Sequence, residues 1–229
     1  MLCSTRLVLL AATVFAVAAA IAAPASNAAA WRTYTEHPGS NNDNPSLVRT
    51  PDGVLHIAYV DHLASLDNNF RYRTLAPNGV TFSAPNSIVE HWVSLAEGAL
   101  VTVGGTPTVI WGGQRTSDVA DPAASGQAWA ASLTGGAWTL SATPVSTSNT
   151  PYASSQVSAA VDNTGVPWFS WSTTFGVGIH QSLSPLGFED TNAGPATCCG
   201  YGSNLAKDAV TGDTYLVYQS NATDGSGYW

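Results

Sequence analysis

The chain has 229 residues, of which 45% are hydrophobic and only 10% are charged. This apolar content excludes a highly charged disordered chain, and the 21 Gly and 13 Pro residues exclude a helix-rich coiled coil. Fifteen acidic residues against seven basic ones give a formal net charge of −8. Because so few bases cannot neutralise many phosphates, neither nucleic acid nor an anionic membrane is an expected partner.

The first thirty residues have the features of a secretion signal. Arg6 ends a short basic segment, residues 7–21 are apolar except for Thr13, and residues 28–30 are alanines suited to signal peptidase. The apolar run is shorter than a typical membrane span, although a retained anchor is the alternative. We therefore expect residues 1–30 to be a signal peptide and residues 31–229 to form a secreted, extracellular domain without membrane insertion.

From residue 31 onward, the sequence predicts an all-β protein. Turn sequences such as Pro51-Asp52-Gly53 interrupt short alternating runs about every ten residues. An apolar residue followed two positions later by an aromatic recurs four times, with Tyr59, Trp111, Trp171 and Tyr218 as the aromatics. Each recurrence follows a turn and an earlier apolar run. Four strands repeated about every fifty residues are typical of a β-propeller blade.

Three complete units and a partial fourth are recognisable, which predicts three and a half to four blades. The fourth unit stops at Trp229, where its third strand would begin, and residues 31–37 resemble an isolated outer strand of the kind that closes a ring. We therefore expect four-stranded blades and a parent ring of five to seven blades. A ring of four small blades and a β-sandwich with accidental periodicity are the alternatives.

Residues 44–55, with the sequence NPSLVRTPDGVL, resemble the first blade of the sialidase (neuraminidase) superfamily, where Arg-Ile-Pro precedes an apolar strand and Gly-Thr-Leu. The turns after the third strands resemble degenerate copies of that superfamily's Asp-box, Ser-x-Asp-x-Gly-x-Thr-Trp. These copies are residues 75–82, 132–139 and 182–188. The resemblance implies a propeller fold and activity towards glycans.

Key residues of the superfamily are replaced in this sequence. Asp43 stands where the resemblance places the first of three arginines that hold the sialic acid carboxylate, and an acid there would repel that group. The second arginine would fall near Asp61 or His62, and the acid/base aspartate near Asp67. The nucleophilic tyrosine, its glutamate partner and the third arginine would lie in later blades. For this chain the resemblance therefore implies a neutral or cationic glycan.

One predicted inter-strand loop carries the candidate catalytic groups. Asp61 and Asp67 are candidates for general acid chemistry. Together with His62, they are also compatible with a calcium-binding loop or with a plain polar turn. The five histidines are dispersed, so we predict no metal site and no cofactor.

Candidate ligand contacts lie at the predicted rim of the first two units. A carboxylate beside an indole suits a sugar, because the acid accepts hydroxyl hydrogen bonds while the ring packs on the apolar sugar face. A Trp92 wedged between blades is the alternative. The predicted glycan contacts are Asp43, Asn44, His62, Glu90 and Trp92.

Cys198 and Cys199 are the cysteines that remain once the signal is removed. Adjacent residues have Cα atoms about 3.8 Å apart across a trans peptide, below the usual disulfide range. A vicinal disulfide, free thiols, and pairing with another cysteine or a metal all remain open. A vicinal disulfide would form a hydrophobic platform, with Tyr201 stacking on a ligand beside it.

Three functions are compatible with these patterns. The first is a secreted, glycan-directed, sialidase-like propeller whose activity extends to glycoside hydrolysis. The second is a non-catalytic, lectin-like carbohydrate-binding propeller, and the third is an extracellular scaffold for protein partners. The first-blade motif favours the first function, whereas the acid at Asp43 favours the other two. We expect a glycan-directed function, and no pattern indicates an oligomeric state.

Overall fold

The computed structural model describes residues 41–118, 127–146, 156–174, 179–186, 191–197 and 203–218. Within these ranges the ordered elements are β-strands and one 3-10 turn, Thr116–Asp118. No helix in these ranges has the length and apolarity needed to cross a membrane. In chain order the strands are β1 (Asn41–Arg49), β2 (Leu55–Ala64), β3 (Asp67–Leu75), β4 (Asn86–Leu95), β5 (Ala99–Val103), β6 (Thr106–Arg115), β7 (Gln127–Thr134), β8 (Ala137–Leu140), β9 (Val157–Val161), β10 (Pro167–Thr174), β11 (Ile179–Pro185), β12 (Thr191–Thr197), β13 (Asn204–Lys207) and β14 (Thr214–Val217).

These strands form successive antiparallel blades. β1 to β4 pair in chain order as the first blade, β5 to β8 form the second, and β9 to β12 form the third. β13 pairs with β14 and begins a fourth. The repeated aromatics lie on or beside the second strand of each unit, because Tyr59 is on β2, Trp111 on β6 and Trp171 on β10, and Tyr218 follows β14. The predicted all-β propeller of four-stranded blades is confirmed.

The turn chemistry read from the sequence also holds in the structure. The β1–β2 turn contains Gly53 at φ 85°, and the β9–β10 turn contains Gly165 at φ 86°. Glycine adopts this left-handed conformation without the steric cost that a Cβ atom imposes. Equivalent turns therefore join the first two strands of separate blades.

β4 belongs to two blades. Near its start, Ser87 pairs with Arg71 of β3, whereas near its end Leu95 pairs with Gly113 of β6. β5 pairs with the remaining length of β6, from Thr106 to Ile110. The end of β4 and the whole of β5 therefore lie along one edge of β6, and a single sheet runs through the first two blades.

Two clusters of buried side chains hold the blades together. The first lies between blades one and two, where the ring of Trp111 is 5.4 Å from Phe70 and 5.6 Å from Trp92, centroid to centroid. The second lies between blades two and three, where Phe169 stacks on Trp171 at 4.6 Å. Each sheet buries a face only when its neighbour packs on it, as in other propellers.

Hydrogen bonds also join the innermost strands of successive blades. The hydroxyl of Ser46 accepts from the Leu100 N–H at 2.7 Å, and that of Ser158 accepts from the Leu205 N–H at 2.9 Å. Between blades two and three, the Val157 N–H donates to the Glu97 carbonyl at 3.0 Å. The first strands of the four units therefore lie side by side around the centre.

Candidate functional site

A cavity of about 310 Å³ opens beside the first residues of the innermost strands. Asp43 and Asn44 of β1, Glu97 between β4 and β5, and Gln156 before β9 contribute to its wall. His62 and Asn68 line it from β2 and β3; residues 93–96 complete the described wall. Its volume lies at the lower end of the roughly 300–1,000 Å³ typical of small-molecule sites.

Three of the lining residues occupy equivalent positions in their blades. Cross-strand pairing puts Ser46, Ala99 and Ser158 in the same register, each opposite the residue that precedes the repeated aromatic. The residues two positions earlier are Asn44, Glu97 and Gln156. The repeat thus delivers one polar side chain per blade to the same end of the centre.

A second cavity of about 260 Å³ adjoins the first and is lined by later residues of the same innermost strands. Its wall includes Ser46, Ser158 and Asn204, and it shares Glu97 and Gln156 with the first cavity. Glu97 therefore lines both of these adjoining cavities.

Backbone irregularity in β1 positions Asp43. The β1–β2 register shifts between Asp43 and Ser46, and Asn44 within this bulge has φ 53°. Asparagine tolerates the left-handed region better than most residues, and bulges commonly redirect a neighbouring side chain. Both carboxylate oxygens of Asp43 lie 3.0 Å from Nε2 of His62 on β2.

The other ring nitrogen of His62 is held from β3. His62 pairs with Asn68 across β2 and β3, and its Nδ1 is hydrogen bonded to the Asn68 Oδ1. The Asn68 amide nitrogen donates to the carbonyl oxygens of Trp92 at 3.1 Å and Val93 at 3.0 Å. Asn68 itself is only 6% exposed. A chain of polar contacts thus runs from the cavity into the junction of blades one and two.

Asp67 lies at the start of β3 and forms an exposed pair with His91. Its Oδ1 is 3.0 Å from the His91 Nδ1, and 70% of the His91 side chain is exposed. Such exposed pairs contribute about 0–1 kcal/mol to stability. Asp67 does not line either cavity described above. Its proposed acid/base role stays a prediction.

The loop position predicted for Asp61 was wrong, and its proposed acid role stays a prediction. Asp61 lies on β2 rather than on a loop, opposite Asn69, and its side chain is fully buried. Its Oδ2 is 3.6 Å from the Nε of Arg71. A buried carboxylate is stabilised by such a counter-ion, and Asp61 lines neither cavity described above. The predicted loop is a tight hairpin turn of residues 65–66 between β2 and β3.

The predicted sugar contacts Glu90 and Trp92 line neither of the two cavities. Glu90 lies on β4, outside both cavities, where its Oε1 accepts from the Ser87 hydroxyl at 2.5 Å and from Arg71 at 3.3 Å. The Ser87 hydrogen bond lowers the pKa of Glu90 below its usual value. Trp92 is 4% exposed and is wedged against Trp111, so the alternative position between blades is the observed one.

Several predicted features lie outside the described residues. These are Tyr201, Cys198, Cys199 and the signal segment 1–30. Among the side chains that are described, no three His, Cys, Asp or Glu residues are grouped so as to hold a metal ion.

Sequence reasoning missed Glu97 and Gln156. The signal that could have found them is positional, because Glu97 and Gln156 stand two residues before Ala99 and Ser158, as Asn44 stands two residues before the equivalent Ser46. Nothing in the sequence shows that the Asn68 amide links His62 on β2 to the backbone of β4.

No family model matches the sequence, and a search of curated proteins returns no match. Solved structures are similar in fold. A protein of unknown function from Dyadobacter fermentans has a TM-score of 0.55 at 12% identity, over 78% of this chain and 62% of its own. An endo-arabinase from Bacteroides thetaiotaomicron has 0.50 at 14% identity, over 72% and 62%. A family 117 glycoside hydrolase of Zobellia galactanivorans has 0.52 at 10% identity, over 87% and 71%.

The chain therefore spans about three fifths of the length of the first two of these structures. At this level of identity, the shared property is the fold. The glycoside hydrolases in this comparison are β-propellers, which places the chain in the same fold class.

Proposed function

We propose that the protein is a glycan-directed β-propeller whose ligand occupies the cavity lined by Asp43, Asn44, His62, Glu97 and Gln156. The observation that carries the proposal is the delivery of polar side chains from equivalent positions of three blades to one cavity of about 310 Å³. Sugar hydroxyls need several donors and acceptors at fixed positions, and backbone-anchored strand ends supply them. The glycoside hydrolases of similar fold support this use of a propeller.

The charge of the cavity favours a neutral or cationic glycan. Asp43 and Glu97 are the ionisable acids of the wall, and within the described part of the chain no Lys or Arg lines it. A carboxylated sugar would meet two carboxylates without a compensating guanidinium. Uncharged hydroxyls or an amino group would instead be hydrogen bonded by them.

Two finer features belong to the same proposal. We propose that the chain is related to the sialidase superfamily. Residues 44–55 support this, because the turn at Gly53 joins the two strands that the motif requires.

We also propose export through residues 1–30. Intact mass of the secreted protein should show a chain that begins at residue 31; a chain that still carries residues 1–30 would contradict export by cleavage.

Binding measurements test the proposal. Titration calorimetry would compare three ligands: neutral arabino-oligosaccharides, cationic chitosan oligosaccharides and anionic oligogalacturonates. The neutral ligand is chosen because an endo-arabinase has a similar fold. We expect Glu97→Gln to weaken the bound oligosaccharide about tenfold, or about 1.4 kcal/mol. The matched control is Glu90→Gln on the outer strand, which should leave affinity unchanged. Equal losses in both variants, or preference for the oligogalacturonate, would overturn the assignment.

Release of reducing ends from the same oligosaccharides separates hydrolysis from binding alone. Carbohydrate binding without hydrolysis is the second candidate, because Asp61, one of the two predicted acid groups, is buried and does not line the cavity. Affinity without new reducing ends would select that candidate. Reducing ends that disappear in His62→Gln would select glycoside hydrolysis.

A further inference from the structure

We infer that Asn68 is a positioning residue that fixes the tautomer of His62, so that His62 and Asp43 together hold one transferable proton at the cavity. The chemical use of that proton rests on the proposed glycan-directed function. Its location on the His62–Asp43 pair follows from hydrogen-bond geometry alone.

The orientation of the Asn68 amide is determined by its surroundings. Its nitrogen lies 3.1 Å and 3.0 Å from two carbonyl oxygens, those of Trp92 and Val93. Carbonyl oxygens only accept hydrogen bonds, and an amide NH₂ has two donors. Both donors are therefore used on β4, and the Asn68 carbonyl oxygen is the atom that faces His62.

This orientation determines which nitrogen of His62 carries hydrogen. The Asn68 Oδ1 accepts only, so the His62 Nδ1 that it contacts must donate. The tautomer with a bare Nδ1 would set two lone pairs against each other inside a side-chain pair where Asn68 is buried. The hydrogen bond made by one ring nitrogen thus sets the state of the other.

At the opposite side of the ring, Nε2 faces a carboxylate. It lies 3.0 Å from both oxygens of Asp43. With Nδ1 already protonated, a hydrogen bond here requires one more proton, either on Nε2 as an imidazolium or on Asp43 as a carboxylic acid. A bare Nε2 facing an ionised Asp43 would be repulsive. The pair therefore holds one proton on the line between the two groups.

The pair is placed to use that proton. The side chains of His62 and Asp43 are 30% and 46% exposed, and both line the cavity. In hydrolysis of a glycoside, the proton passes to the leaving oxygen as its bond to the anomeric carbon breaks, and that oxygen keeps the bond's electrons. A water molecule forms the new bond to carbon and returns a proton to the pair. Asn68 holds the ring throughout and takes no part in the transfer.

Nitrogen-15 NMR of histidine-labelled protein tests the inference without any substrate. Long-range proton–nitrogen correlation spectra near neutral pH distinguish protonated from bare ring nitrogens, and His62→Gln assigns the signal among the five histidines. We expect a protonated Nδ1 in the wild-type protein and a proton at, or shared by, Nε2. Asp43→Asn should leave Nδ1 protonated and Nε2 bare. A bare Nδ1 in the wild-type protein, or an imidazolium that persists in Asp43→Asn, overturns the inference.

Asn68→Ala tests the positioning role. Without the amide, the ring is free to carry its neutral proton on Nε2, which already faces Asp43, so a bare Nδ1 signal should appear. Because this variant also deprives two carbonyls of donors, the near-ultraviolet circular dichroism of the tryptophans checks that it is folded. Asp43→Asn tests the proton-holding pair independently, because it leaves Asn68 in place. Glu90→Gln is the control that should leave the His62 signals unchanged. A folded Asn68→Ala whose Nδ1 stays fully protonated overturns the role of Asn68.

The two proposals fail separately. The expected NMR pattern without any glycan binding would retain the proton-holding pair and reject the proposed function. Glycan hydrolysis by a protein in which the His62 Nδ1 is bare would retain the proposed function and reject the proton-holding pair. Where hydrolysis occurs, Asn68→Ala should lower kcat about tenfold and leave KM nearly unchanged, because the Asn68 amide is already engaged by His62 and by the two β4 carbonyls rather than by a ligand.

Discussion

The junction between blades one and two differs from the junction between blades two and three. At the first, β4 itself passes from one blade into the next, and the rings of Phe70, Trp92 and Trp111 interlock. At the second, the sheets are separate, and the contact consists of smaller side chains around Phe169 and Trp171. Strand pairing is continuous through the first junction, whereas the second depends mainly on side-chain packing.

The candidate site is attached to the continuous junction. The carbonyl oxygens that hold Asn68 belong to Trp92 and Val93, where β4 begins to pair with β6. Sites built on rigid strands hold their side chains more accurately than sites built on loops. We therefore expect the side of the cavity that is attached to β4 to be stiffer than the side formed by the third blade.

The largest expected effect comes from removing a ring at the first junction. Trp111 is fully buried and contacts two aromatic rings, so Trp111→Ala should cost about 5 kcal/mol of unfolding free energy. Phe169→Ala at the second junction should cost about 3 kcal/mol, because that ring contacts one. Urea denaturation gives both values. Tyr215→Ala, at a half-exposed position, is the control and should change stability by less than about 0.5 kcal/mol. A larger loss for Phe169→Ala would reverse the comparison.

An intermediate effect is expected at Gly113 of β6, which lies close against β4. A Cβ atom on Gly113 would lie 2.8 Å from the Ser94 carbonyl oxygen and 3.1 Å from the Trp92 ring. Since Gly113 does not have the positive φ that would itself strain alanine, Gly113→Ala measures crowding alone, and we expect a loss of about 1–3 kcal/mol.

The same variant should also weaken oligosaccharide binding, because the backbone beside Ser94 lines the cavity. The control is Gly104→Asn, in an open turn where asparagine accepts the left-handed conformation. Wild-type stability of Gly113→Ala would show that the continuous junction yields easily, which contradicts the stiffness inferred for it.

The smallest effect concerns acid stability at two equivalent turns. The Thr164 hydroxyl and the Trp168 indole hold the pKa of Asp162 in blade three well below its usual value. In blade one, the Thr50 hydroxyl lowers the pKa of Asp52. A carboxyl with a lowered folded pKa stabilises the fold fully above its unfolded value, near 3.8, and loses that contribution as pH falls through the folded pKa.

Thermal unfolding followed from neutral pH down to about pH 2 measures the loss of this contribution. At neutral pH, Asp162→Asn should lower the melting temperature more than Asp52→Asn does, because the Trp168 indole adds a donor at Asp162. Both variants should approach the wild-type melting temperature as the pH is lowered. A difference from wild type that is constant with pH would show that the substitutions act through turn geometry rather than through charge.

The sequence predicted the local features of each blade accurately. Turn glycines such as Gly53 and Gly165 mark the conformations they adopt, and the spacing of Tyr59, Trp111 and Trp171 placed the second strands. These features depend on residues close together in the chain. Glu97 and Gln156 were within reach of the same repeat, because their positions relative to the strands repeat as well.

The site was predicted less well because burial is not a local property. Asp61 and His62 are adjacent in the sequence, yet their side chains point to opposite faces of β2, as alternate strand residues do. One is enclosed with Arg71, and the other faces the cavity. The resemblance to an arginine-bearing superfamily drew attention to Asp43, but only the structure pairs its carboxylate with His62.

By itself the sequence determined the all-β class, the repeat and the turns, because alternation, aromatic spacing and turn glycines depend on residues that are close together in the chain. Only the tertiary structure decided which acids line the cavity, that β4 serves two blades, and that Asn68 links His62 on β2 to β4. Those outcomes depend on register and on packing between segments far apart in the chain, where one residue of shift exchanges the buried face for the exposed one.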